Sequence, residues 1–186
     1  MKTRSRRESA IASAIASARE VFLRYGFART TMDDLSRAAG MSRPALYLLF
    51  AGKEEIFAAT IDDLWQETRH HYETHLANLT TLEERLRFVL HHWTGTGYEL
   101  TSTYPDAKDA FDMQYPAVRK MYGDLCDFVG HLLAGPVAKS HLRVTFQDVA
   151  CATIFSLRGI KEIARDRQHM HSLIDLQVDL LLAALK

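Results

Sequence analysis

The 186-residue sequence predicts an all-α protein. Three observations carry that expectation. Apolar residues recur at three- and four-residue spacing along almost the whole chain, strong strand patterns are missing, and helix-capping residues stand where the apolar stripes begin. Ile11, Ile15, Ala18, Phe22 and Tyr25 form the first stripe, and Gly26 is placed to close it. Thr30 or Thr31 can cap a second helix, with Asp33 and Asp34 in its first turn, Met32, Leu35 and Ala38/Ala39 facing inward, and Gly40 at its end. Ser42 can cap a third, whose first turn accepts Pro44 because early N–H groups have no partner within a helix.

A long fourth helix is expected from near Lys53, with Phe57, Ile61, Leu64, Thr68, His71 and His75 on one face. Thr81 and Glu84 have the spacing of a capping box for a fifth, which carries Leu82, Leu86, Val89/Leu90 and Trp93. Residues 94–115 read as loop-rich around one short helix. Pro116 opens the next helix, which Gly135-Pro136 should break. Thr145 and Asp148 repeat the capping-box spacing ahead of a helix to about Asp166. The last, over roughly 170–185, is apolar on several sides and needs more than one neighbour to cover it.

Composition narrows the class. The chain is 47% hydrophobic and 25% charged, as in ordinary soluble domains. No run of 18 apolar residues occurs, so no membrane span is expected. The alanine-rich N-terminus is interrupted by serines and has helical periodicity, which reads as mature structure rather than a signal peptide. Cys126 and Cys151 both sit in apolar helical segments, which suits reduced core thiols of a cytoplasmic protein. Net charge is zero but uneven. Residues 1–53 hold ten Lys/Arg against four Asp/Glu, a net +6, and the remainder holds thirteen against nineteen, a net −6. Arg4, Arg6 and Arg7 make a basic arm. Such a segment is the footprint of a local polyanion site, or simply a solvated tail.

The chemistry concentrates in the second and third helices. Two short helices over about residues 31–50, joined through Gly40-Met41, make a helix-turn-helix. Leu46 and Phe50 are four apart and face inward. Arg43 and Tyr47 are also four apart, rotated by about 100°, and face outward. Arginine can bond guanine edges in a major groove, and tyrosine can donate to phosphate. Pro44 and Ala45 are rigid or small, so backbone can come close to bases. Lys53 can add a phosphate charge. Free N–H groups at the starts of the second and fourth helices can add anion donors, and Thr30, Thr31 and Ser42 complete the candidate DNA-binding set.

The stretch FLRYGFARTTMDDLSRAAGMSRPALYLLFAGKEEIF, within residues 11–57, resembles the N-terminal domain of TetR-family (tetracycline-repressor-like) transcriptional regulators. The shared features are an aromatic before Tyr-Gly-Phe, paired threonines, an Ala-Gly turn, Leu-Tyr-x-x-Phe and Lys-Glu-Glu. The resemblance implies a three-helix DNA-binding domain over 8–67 and a helical ligand-binding and dimerisation domain over 68–186. It implies a homodimer on palindromic operator DNA, released by a small-molecule effector. Thr31 and Tyr47 would touch phosphates, Arg43, Pro44 and Ala45 would face bases, and Lys53 would contact the backbone. Leu48 and Leu49 depart from the family, where polar or aromatic residues are common. A pocket would involve helices four to seven, for which Trp65, Tyr72, Phe88, Trp93, Tyr98, Phe111 and Tyr122 are candidates, though aromatic residues at helical spacing are more often core. A dimer seam on the last two helices would use Ile154, Leu157, Ile160, Leu173, Leu176 and Leu180.

Enzyme readings lack support. His71 and His75 have metal-ligand spacing, but Glu73 lies about 200° round the helix from where a zinc hydrolase needs its base. Neither a nucleophile elbow nor a phosphate-binding glycine loop is present. No cofactor and no metal are expected. The competing reading is a DNA-binding structural or protein-interaction module with no effector.

Overall fold

The computed structural model describes residues 2–186, with side chains from Arg6 onward. Among the described residues the helices are α1 (Lys2–Arg29), α2 (Met32–Ala38), α3 (Arg43–Tyr47), α4 (Lys53–Leu76), α5 (Leu82–Thr103), α6 (Ala107–Ala110), α7 (Pro116–Lys139), α8 (Phe146–Ile163) and α9 (Arg167–Ala184). They form two compact units. The first is Met1–Thr68 with Leu100–Met121, and the second is Arg69–Glu99 with Tyr122–Lys186. Arg4 of the basic arm falls outside the described side chains, and Arg6 and Arg7 are exposed.

In the first unit the core is aromatic. Phe57 lies 5.1 Å from Phe22, 4.6 Å from Phe27 and 5.4 Å from Tyr115, centroid to centroid. Arg19 of α1 binds Asp63 at 2.6 Å and Glu67 at 2.8 Å, both on α4. Helical geometry in α1 breaks at Gly26, whose φ of 71° suits glycine alone without strain. A Cβ there would also lie 2.8 Å from Asp109 Oδ2 and 2.9 Å from the Asp106 carbonyl. Gly26 therefore interrupts the helix, where the sequence placed its end, and lets residues 106–109 approach.

The second unit has an aliphatic core of Leu86, Leu90, Leu125, Val129, Leu133, Ile154, Leu157, Met170, Ile174 and Val178. Arg87 on α5 donates to Asp175 at 2.7 Å and to Asp179, both on α9. Both expected capping boxes form, at Thr81/Glu84 and Thr145/Asp148.

Four sequence expectations are corrected. Residues 94–103 are helical, not loop. Thr94 and Gly95 are buried, and packing overrides the low helix propensity of TGTG. Gly135-Pro136 does not break α7. Pro136 lacks one N–H near the helix end, while buried Leu133 and Val137 hold the turn on either side. Tyr25 leaves the α1 stripe at 46% exposure, and Ala14, Ala18, Val21 and Phe22 carry the burial. On α4 the buried face runs through Phe57, Ile61, Trp65, Tyr72 and Leu76, leaving His75 exposed, because the large rings displace the polar histidines from the core.

Candidate nucleic-acid interface

The interface is built on α2 and α3. Thr31 caps α2, its hydroxyl donating to Asp34 Oδ2 at 2.6 Å and accepting from the Asp34 N–H at 3.2 Å. The bond from the hydroxyl, and then one from the Thr31 N–H at 3.0 Å, hold the Asp34 carboxyl below the usual carboxylate range. The turn that follows is a Schellman motif. Met41 N–H donates to the Ser36 carbonyl at 2.9 Å and Gly40 N–H to Arg37 at 3.2 Å, with Gly40 at φ 64°. Ser42 Oγ then accepts from the Ala45 N–H at 3.3 Å and starts α3.

Leu46 and Phe50 are 1% and 5% exposed and fasten α3 inward. Arg43, Pro44, Tyr47 and Leu48 are exposed. The Arg43 guanidinium is 3.2 Å from Asp33 on α2 and 5.9 Å from the Tyr47 ring centre. Asp33 thus steadies the exposed Arg43 side chain. Sequence spacing missed this partner, since it joins two helices rather than two turns of one. Ser42 and Thr31 are exposed, and Ala45 is half-buried.

Two candidates have other roles. Thr30 is buried, and its hydroxyl donates to the Gly26 carbonyl at 2.6 Å, so it closes the end of α1. Lys53 Nζ donates to the Phe27 carbonyl at 2.8 Å and lies 4.2 Å from the Phe27 ring centre. Its charge sits on the last carbonyls of α1, where a cation stabilises a helix end.

Residues 104–115, between α5 and α7, are joined to the same unit, which no local signal announced. Asp109 accepts from the Ala28 N–H at 2.7 Å and from the Tyr115 hydroxyl at 2.9 Å, and Arg29 pairs with Asp106. Burial, then the bond to Asp109, pushes the Tyr115 phenol up to about 12. Beside this joint is an open groove of ≈ 250 Å³ lined by Tyr25, Ala28, Arg29, Pro105, Asp106 and Asp109.

The aromatic ligand candidates fall into separate groups. Trp65, buried, and Phe111, half-buried, belong to the first unit. In the second, Tyr72 and Phe88 gather three histidines. The His71 ring lies 4.1 Å from His75, 4.4 Å from His92 and 5.6 Å from Phe88, and His92 Nδ1 is 3.3 Å from the Tyr72 hydroxyl. Burial, then the neighbouring histidines, lowers the His71 and His92 pKa values. Among the described residues no group of three or more His, Cys, Asp or Glu could hold a metal ion. Trp93 packs edge-on to Tyr122 at 5.5 Å, and Tyr98 is half-buried on α5. Of the seam candidates, Ile154 and Leu157 are 0% and 2% exposed, enclosed in the chain's own core and unavailable to a partner. Leu176 and Leu180 are exposed, and Ile160 and Leu173 are half-buried.

Residues 14–60, which contain α2, the turn and α3, match the family described as bacterial regulatory proteins, tetR family. Over those residues the chain is similar to TetR-family regulators. It is 32% identical over 85 residues to the transcriptional regulator TtgR of Pseudomonas putida, a match spanning 46% of this chain and 38% of TtgR. It is 29% identical over 151 residues to RutR of Escherichia coli K12, spanning 75% of this chain and 68% of RutR. The fold resembles that of FadR from Bacillus halodurans at a TM-score of 0.70 and 13% identity, covering 95% of this chain and 96% of that one. A TetR-family regulator from Pectobacterium atrosepticum gives 0.68 and 21%, covering 98% and 96%. Among the described residues no helix is long and apolar enough to cross a membrane.

Lys53→Met should lower the melting temperature by several degrees through loss of about 1 kcal/mol. Arg43→Ala, at an exposed pair, should leave it unchanged. Thermal unfolding by circular dichroism checks both.

Proposed function

We propose that the protein is a transcriptional repressor that binds palindromic operator DNA as a homodimer and is released by a small-molecule effector. One observation carries the DNA half: Arg43 and Tyr47 stand exposed and four residues apart on a short helix whose opposite side is fastened by Leu46 and Phe50. A helix so presented enters the major groove, where Arg43 would bond a guanine and Tyr47 a phosphate. Pro44 and Ala45 would lie against base edges. Thr31 and Ser42 would approach phosphates at the helix starts, and Lys53 would support the site from behind.

The homodimer is supported by Phe155 and Ile163 on α8 and by Leu176 and Leu180 on α9, exposed at 43%, 66%, 52% and 59%. Two such helices from each of two copies would bury these side chains in a four-helix seam. Release by an effector is supported by chain continuity. α5 starts among residues of the second unit and delivers the chain to the joint at Asp109 and Tyr115. An effector that favours one position of α5 would shift the population of α1 ends, and with it the spacing of two recognition helices. Phe88, half-buried beside His71, His75 and His92, is the aromatic residue best supported as its contact, while Tyr72 is buried in the core behind it.

On an operator selected from random duplexes, Arg43→Ala should lose about 1–3 kcal/mol of affinity, read by gel shift. Wild-type affinity should fall steeply between low and physiological salt. An Arg43→Ala variant with wild-type affinity and sequence preference would sink the assignment. Separately, Leu176→Glu with Leu180→Glu should convert a dimer to a monomer in sedimentation. A wild-type monomer at micromolar concentration would contradict the seam.

A further inference from the structure

We propose that Leu48, backed by Pro44 one turn earlier, reads thymine methyl groups in the operator. This rests on the operator-binding reading above. α3 and its C-cap present two columns of exposed side chains. One is polar, Arg43 and Tyr47. The other is apolar, Pro44 and Leu48, linked by a hydrogen bond of 3.1 Å from the Leu48 N–H to the Pro44 carbonyl. Leu48 is 81% exposed, more than any other large exposed apolar side chain among the described residues.

A solitary exposed leucine would need no explanation. This one extends an apolar column alongside the pair that faces the groove, four residues from a rigid proline. An isobutyl group can bond neither a phosphate nor a base edge, so its gain at a DNA surface comes from apolar contact alone. The apolar group that the major groove offers is the thymine C5-methyl. Residues four apart on a helix are separated by about 6 Å along its axis, close to two base steps of about 3.4 Å each. The column therefore fits thymines about two steps apart, beside the guanine bound by Arg43.

Deoxyuridine differs from thymidine only by that methyl, which makes the test direct. An operator is selected from random duplexes with the wild-type protein, and each thymine is then replaced singly by deoxyuridine. Dissociation constants are measured by fluorescence anisotropy. At one or two thymines the replacement should weaken wild-type binding roughly fourfold, the worth of one buried methyl. Leu48→Ala should weaken binding to the thymine operator by a similar factor and abolish sensitivity at those positions. Arg43→Ala should bind more weakly yet keep the sensitivity. An operator insensitive to every replacement overturns the proposal, as does full sensitivity in Leu48→Ala. Either result leaves operator binding intact. Enrichment of no sequence at all overturns both readings.

Discussion

Burial of Leu46 and Phe50 is the contact on which the candidate recognition surface depends. A helix of five residues cannot sustain itself in water, because nucleation costs more than so few hydrogen bonds return. α3 exists because these two side chains are removed from solvent and because its start is prescribed by the Ser42 cap and the Schellman turn at Gly40. Once the inward side is fixed, helical geometry leaves Arg43, Pro44, Tyr47 and Leu48 no direction but outward. The exposed face is thus the remainder of a packing solution, and its precision comes from the core behind it.

The same logic extends to the joint at the end of α1. Gly26 turns the chain and leaves room for Asp109, whose two carboxylate oxygens are divided between the Ala28 N–H and the Tyr115 hydroxyl. Tyr115 in turn packs 4.7 Å from Phe27, whose carbonyl holds Lys53. A single run of contacts links residues 109–115, the end of α1 and the start of α4. Of the candidates for phosphate contact, Lys53 and Thr30 belong to this run, and their polar groups are committed to backbone carbonyls.

Where the determinants are local, the sequence was legible. Caps at Thr31, Ser42, Thr81 and Thr145, glycine ends at 26 and 40, and the two sides of α3 all follow from residues within one or two turns. Features set by distant partners were not. The helical state of 94–103 depends on burial of Thr94 and Gly95, which no window of the sequence reveals. Asp33 beside Arg43 and Asp109 beside Ala28 join elements whose approach is a tertiary outcome. The roles of Ile154 and Leu157 turned on which side of α8 faces the chain's own core, and apolar character alone could not separate core from seam. Aromatic residues on α4 to α7 were visible as a class, but their sorting into separate groups was not.

The central claim is that residues 42–48 form the DNA-facing surface. Amide chemical-shift mapping by NMR, during titration of the labelled protein with its selected duplex, tests it most directly. The largest shifts are expected at Thr31 and at the amides of residues 42–48 other than Pro44. Unmoved signals there, with the largest changes among residues 122–186, would contradict it.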